Sequence, residues 1–169
     1  YMRDPRVVRT GTRGPAGLDA ALMAKLKKTV TDRVNGQKKS PMRIAYALDD
    51  EISWGSFLKP ISWRVNDDDK AYETWLASYY GGKAPAAQYV CPDFLLPQYG
   101  RALKDLDFSP FLDRMTYNDS VWANFLGELV ECANAADPNT PCGFVGGQSP
   151  NIFGGYDYAK ITKKNQFIE

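Results

Sequence analysis

The sequence predicts an α/β fold in which parallel strands alternate with crossover helices. Three observations support it: apolar runs of strand length at 42–48, 142–145 and 166–169, helical patterns between them, and turn residues at their ends. Strands separated by helices form parallel βαβ units, since a parallel connection needs a long crossover. Such units build either a barrel or an open sheet, and in both the carboxyl ends of the strands share one edge.

Four segments show the apolar periodicity of helices. The first has leucine or valine every four positions from Leu18 to Val34. The second follows Asp67-Asp68-Asp69, whose carboxylates suit a helix N-terminus; they lack the alternating spacing of a calcium loop. The third begins at Ser109-Pro110, a favoured cap and first-turn pair, and is broken by Asp137-Pro138. The fourth is short and lies near 158–164.

Composition limits the classes of function. The chain has 169 residues, of which 44% are hydrophobic, so we predict a single domain over residues 1–169. A formal charge of +1 predicts no nucleic-acid partner, and no apolar stretch approaches the ~20 residues that span a membrane. The absence of histidine excludes Ser-His-Asp and Cys-His catalysis within the chain, and also histidine-based metal sites. We expect no metal and no cofactor.

The three cysteines are far apart in the sequence. Cys91, Cys132 and Cys142 form no C-x-x-C pair, which argues against a zinc ribbon or a redox motif. Their odd number argues against a disulfide framework. Cys132 lies in a helical pattern and Cys142 in a predicted strand, so we interpret both as small buried hydrophobic residues.

The first predicted strand ends in three carboxylates, and a tryptophan follows. We interpret Glu51 as a proton donor, because a partly desolvated acid beside Asp49 and Asp50 should have a raised pKa. Asp50 would bind a sugar hydroxyl and Asp49 would support the strand, because neighbouring strand residues point to opposite faces. Trp54 would stack on a sugar ring. Plainer readings remain open: a salt bridge or helix cap for the acid, and loop anchoring for the tryptophan.

The ends of the other predicted strands face the same edge. The second strand runs into Gly146-Gly147-Gln148, which matches no phosphate-binding glycine pattern and predicts a tight turn. The third ends at Glu169. Because parallel strands end together, we expect Glu51, Gln148 and Glu169 to face one opening and the latter two to bind substrate.

Several of these motifs together resemble a known family. They are the strand tip Ala47–Trp54, the segment Tyr72–Gly81, the long loop between them and the run Asp137–Pro141. The chain is similar to the middle of a clan A glycoside hydrolase, closest to family 42, the β-galactosidase-like enzymes. In that family the strand-four tip holds an Asn-Glu pair whose Glu is the acid/base; Glu51 matches it, and Asp50 replaces the Asn.

The resemblance implies a fold and a reaction. The fold is a partial (β/α)₈ TIM barrel over about strands four to six, and the reaction is retaining hydrolysis of O-glycosyl bonds in an oligo- or polysaccharide. The nucleophile, a Glu on strand seven, would lie beyond Glu169. The chain would then be a fragment, inactive by itself. Two alternatives stay open: a non-catalytic carbohydrate-binding or scaffolding protein on a degenerate barrel, and an open α/β sheet for another small ligand.

Overall fold

A computed structural model describes residues 20–50, 69–83, 109–146 and 157–169, with the backbone alone for Asp49, Asp50 and Phe111. In chain order its elements are α1 (Ala20–Gln37), β1 (Tyr46–Asp50), α2 (Asp69–Tyr79), α3 (Ser109–Ala136), β2 (Cys142–Val145) and α4 (Tyr158–Ile161). The four helices coincide with the four periodic segments, which confirms those predictions. No helix in these ranges is long and apolar enough to cross a membrane.

The predicted partial TIM barrel is wrong. The described residues are 63% helical and contain only two short parallel strands. The predicted strand at 166–169 makes one isolated parallel bridge, between Ile168 and Phe144. The physical reason lies in the packing: α3 contacts α1, α2, α4 and both strands, so one central helix organises the core. In a barrel, the closed sheet would organise the core, and a helix would cover each strand.

The pairing of β1 with β2 is parallel, as the sequence predicted. Ala47 pairs with Gly143, and Asp50 pairs with Val145. Three steps along β1 therefore match two steps along β2, and β1 contains one extra residue, a β-bulge. The strand also begins later than predicted, at Tyr46 instead of Met42.

The core is built on α3. Its most deeply buried side chains, at 0–2% exposure, include Leu126, Leu129 and Ala133. From α1, the predicted stripe contributes Leu26, Val30 and Val34. Burying such a side chain contributes about 1.5–3 kcal/mol, so the stripe holds α1 in place more firmly than helix propensity could.

α1 and α3 run against the direction of the strands. Residues 137–141 connect α3 to β2, and this short connection turns the chain back along the sheet. α1 lies alongside α3 in the same direction, because Lys27 pairs with Glu128 at 2.6 Å and Lys38 Nζ donates to the Ala136 carbonyl at 3.4 Å. The amino-terminal turns of α3 therefore lie toward the carboxyl ends of the strands.

Candidate functional site

Three neighbouring segments of the sheet end at one edge. β1 ends at Asp50, which pairs with Val145 at the end of β2. On the other side of β2, Ile168 bridges Phe144 in parallel, and the Glu169 N–H donates to the Phe144 carbonyl at 3.3 Å. This arrangement brings the backbones of Asp50 and Glu169, two of the predicted site residues, to the same edge.

The spacing across this edge separates the two acids. β2 lies between the backbone of Asp50 and that of Glu169, and adjacent strands are about 4.8 Å apart. The two backbones are thus about 10 Å apart. The Glu169 side chain is exposed, so it is open to a ligand at this edge; its role in substrate binding stays a prediction.

The β-bulge lies directly before the acidic tip. The extra residue of β1 falls between Ala47 and Asp50. Bulges are common beside active sites because they redirect the side chains that follow them. The alternation used to assign different roles to Asp49 and Asp50 requires a regular strand, so it does not hold here.

A left-handed glycine ends β2. Gly146 has φ of +70°, a conformation that glycine adopts without the steric cost of a Cβ. The chain bends at Gly146, where the sequence predicted the beginning of a tight turn; the residues that would complete the turn lie outside the described ranges. The remaining predicted site residues, Glu51, Trp54 and Gln148, lie outside the described residues.

A row of buried polar side chains on α3 was missed from the sequence. Its members are Asp113, Arg114, Asn118 and Asp119, all at 8% exposure or less. The Arg114 guanidinium lies 4.2 Å from the centroid of the Tyr72 ring, a cation–π contact between α2 and α3. The available signal was the i, i+4 spacing of Arg114 and Asn118. Polar residues beside an apolar helix stripe usually lie in solvent, so the sequence did not identify these four residues as buried.

A second polar network lies at the opposite edge, where the strands begin. Asp137 Oδ2 accepts hydrogen bonds from the Tyr46 hydroxyl at 2.8 Å and the Thr140 hydroxyl at 2.9 Å. Arg43 Nη2 stands 3.2 Å from the same oxygen. Arg43 Nε also donates to Thr140 Oγ1 at 2.9 Å. The network ties the carboxyl end of α3 to the first residues of β1, so we assign it to stability.

The network shifts two pKa values in opposite directions. The hydrogen bond from Tyr46, supported by Thr140, the Asn139 N–H and the Arg43 charge, lowers the pKa of Asp137 below 3.8 despite burial. Burial, then the hydrogen bond to Asp137, raises the pKa of Tyr46 above 10.0. A carboxyl whose pKa is lowered on folding stabilises the fold above its unfolded pKa. That stability is lost as pH falls through the folded value.

Replacing Asp137 with Asn should lower the Tm at pH 7 by several degrees, because Arg43 loses its charged partner. The difference in Tm from wild type should begin to narrow as pH falls below about 3.8, because the Asp137 carboxyl of the unfolded wild-type chain then takes up a proton, and it should close as pH falls through the lower pKa of the folded state. Thermal unfolding followed by circular dichroism at pH 7 and pH 3 measures both effects.

Asp32→Asn is the matched control. Asp32 pairs with Lys28 at 2.6 Å, but both side chains are mostly exposed, and such surface pairs contribute little. Its Tm should stay close to that of wild type at both pH values. The assignment of the network to stability would be contradicted if Asp137→Asn had the Tm of wild type, or if its Tm difference from wild type were the same at both pH values.

Cys142 is unsuited to nucleophilic chemistry. Burial raises the pKa of the Cys142 thiol to about 12, so the thiol stays protonated at neutral pH. Its burial is complete, as predicted. Cys132 is only half-buried, which corrects that prediction, and Cys91 lies outside the described residues. Within the described ranges, no group of three or more cysteine or carboxylate side chains could hold a metal ion.

Comparison with known proteins finds no relative. No protein-family profile, no curated protein and no solved structure matches the chain. The resemblance to family 42 glycoside hydrolases therefore stays a prediction from the strand tip and its neighbouring motifs.

Proposed function

We propose that this chain provides the acid/base side of a retaining glycoside hydrolase that acts on O-glycosyl bonds of an oligo- or polysaccharide. The observation that supports the proposal best is the end of β1. A bulged, parallel strand finishes in Asp50, and Glu51 is the next residue of the chain. Ligands of parallel α/β sheets bind at the carboxyl ends of the strands, so an acid at this point is in a position to meet substrate.

The proposed reaction needs two carboxyl groups. Glu51, protonated, donates its proton to the glycosidic oxygen as the bond to the anomeric carbon breaks. A carboxylate about 5 Å away, proposed to lie beyond Glu169 in the protein, attacks the anomeric carbon and forms a glycosyl ester. Glu51, now ionised, takes a proton from water, which hydrolyses the ester. Two displacements at one carbon retain its configuration.

Asp50 and Glu169 have supporting roles in the proposal. Asp50 would accept a hydrogen bond from a sugar hydroxyl next to the scissile bond. Glu169, about two strand spacings away, would bind a neighbouring sugar. Trp54, three residues after Glu51, would supply an apolar surface for the C–H groups of the ring.

The proposal is tested by the stereochemistry of hydrolysis. The full-length gene product is incubated with a panel of β-galactosides and related aryl glycosides, and the anomer released first is identified by proton NMR. We expect the anomer of the substrate, before mutarotation. Release of the opposite anomer would exclude a glycosyl ester. Binding of sugars without any hydrolysis would favour a non-catalytic carbohydrate-binding protein instead.

A further inference from the structure

A row of stacked aromatic rings on α2 runs from the core to the surface. Tyr72, Trp75 and Tyr79 lie at helical i, i+3, i+7 spacing. The ring centroids are 6.1 Å apart from Tyr72 to Trp75 and 4.9 Å apart from Trp75 to Tyr79, with planes within 19°. Tyr72 is buried, but Tyr79 at the end of the row is 57% exposed. The exposed ring is therefore supported by the two rings beneath it.

A second tyrosine forms a corner with the first. The ring of Tyr80 stands at 84° to that of Tyr79, with centroids 5.3 Å apart, and is 42% exposed. Its hydroxyl donates to Asp113 Oδ2 at 2.8 Å, which fixes the orientation of the ring. Leu112, next to Asp113, is 49% exposed. We call the exposed surface of Tyr79, Tyr80 and Leu112 the tyrosine corner.

The tyrosine corner carries no excess of either charge. The five residues from Ser78 to Gly82 include no charged side chain, and of the two charged residues beside them Lys83 is basic and Asp113, which accepts from the Tyr80 hydroxyl, is acidic. Among the described residues, a Cβ placed on Gly81 or on Gly82 would meet no atom within 4 Å. A neutral surface of this kind suits a neutral ligand better than a phosphate or a sulfated polymer, which needs cationic partners.

The area of the tyrosine corner is too small for a protein partner. With about 200 Å² for a whole aromatic side chain, its exposed part is on the order of 300 Å². A stable protein interface buries about 800 Å² on each partner. One or two sugar rings, with apolar C–H faces and hydroxyl rims, match both its size and its mixture of rings and hydroxyls.

The tyrosine corner lies at the same end of the molecule as the site edge. Asp113 is in the second turn of α3, whose amino-terminal turns lie toward the carboxyl ends of the strands. The last turn of α2 is held against those turns by the Tyr80–Asp113 hydrogen bond. A saccharide bound across the edge at Asp50 could therefore extend toward Tyr79.

We infer that the tyrosine corner is a remote binding site for neutral polysaccharide, with Tyr79 and Tyr80 stacking on sugar rings distant from the scissile bond. The inference rests on the proposed function in one respect, because it takes the ligand to be part of the polysaccharide substrate. It goes beyond that function by assigning residues that take no part in the reaction. Its physical basis is the exposed, supported ring pair beside an uncharged turn.

The test is native affinity electrophoresis of the full-length gene product in gels containing β-1,4-galactan or hydroxyethylcellulose. The protein carries Glu51→Gln throughout, so that turnover cannot shorten the polymer. We expect at least one neutral polysaccharide to retard migration. Adding Tyr79→Ala should weaken binding about tenfold, whereas Tyr79→Trp should preserve it.

Ile44→Ala is the matched control, because Ile44 is an apolar side chain at 87% exposure before the start of β1, far from the tyrosine corner. Its binding should equal that of the parent. Far-UV circular dichroism and Tm confirm that each variant is folded. Equal binding by Tyr79→Ala and the parent would overturn the inference, as would retardation by none of the neutral polymers or by dextran sulfate alone.

The two proposals fail separately. Hydrolysis and its loss in Glu51→Gln report on catalysis, while retardation and its loss in Tyr79→Ala report on the tyrosine corner. Retardation that depends on Tyr79 in a protein that hydrolyses no glycoside would support the binding site and overturn the proposed reaction. Hydrolysis without such retardation would support the proposed reaction and overturn the binding site.

Discussion

Glu51→Gln should slow the hydrolysis of glycosides with poor leaving groups by about 10²–10⁴-fold, the usual contribution of a general acid. A methyl or 4-methoxyphenyl glycoside needs a proton on its departing oxygen, and glutamine cannot donate one. In a 2,4-dinitrophenyl glycoside the aglycone departs as a stable phenolate and needs no proton. The rate of the glycosylation step should therefore change little with this substrate. The measurement is kcat/KM across a series of aryl leaving groups. A steep dependence on leaving-group pKa should appear only in the variant.

Azide provides an independent check of the same residue. Without Glu51 to activate water, the glycosyl ester should accumulate when the leaving group is good. Azide needs no general base, so it should restore turnover and yield a glycosyl azide of retained configuration. Glu73→Gln, an exposed glutamate on α2, is the matched control and should resemble wild type. A Glu51→Gln variant that keeps its activity on poor leaving groups would exclude Glu51 as the acid/base.

Gly143→Ala should destabilise the fold by about 3 kcal/mol, the upper range for overpacking. A Cβ at Gly143 would lie 2.0 Å from the carbonyl oxygen of Phe167. That oxygen belongs to the backbone, so rotation of a side chain cannot relieve the overlap. Relief requires residues 166–169 to move away from β2, which would break the bridge between Phe144 and Ile168. Chemical denaturation followed by tryptophan fluorescence measures the loss.

Two other glycines serve as controls for Gly143→Ala. A Cβ at Gly36 in α1 would meet nothing within 4 Å, and at Gly127 in α3 it would meet only the flexible Lys164 side chain, at 3.1 Å or more. Both substitutions improve helix propensity, by up to about 1 kcal/mol, so neither should be strongly destabilising. A Gly143→Ala variant as stable as these two would show that the segment at 166–169 is not closely packed on β2.

Local patterns predicted the helices well. The repeat from Leu18 to Val34 predicted α1, and Ser109 and the Asp137-Pro138 break marked the two ends of α3. These signals lie within a few turns of the chain, so they are independent of its tertiary packing. The bend at Gly146 was predictable for the same reason, since its positive φ favours glycine.

The small two-stranded sheet was not predictable from the same kind of signal. Short apolar runs at 42–48, 142–145 and 166–169 are equally compatible with a closed sheet and with two strands against a long helix. The choice depends on how α3 packs, and α3 buries residues from segments far apart in the sequence. The β-bulge before Asp50 also arises only from pairing with β2.

Local sequence patterns set where the helices form, where the strand carrying the acidic tip ends and which residue types stand there. Periodicity, capping and turn chemistry are properties of neighbouring residues, and a single chain displays them. The tertiary structure alone decided that the sheet is small, that Asp50 and Glu169 are two strand spacings apart and that Tyr79 is supported yet exposed. Each of these depends on contacts between distant segments, whose free energy no local pattern contains.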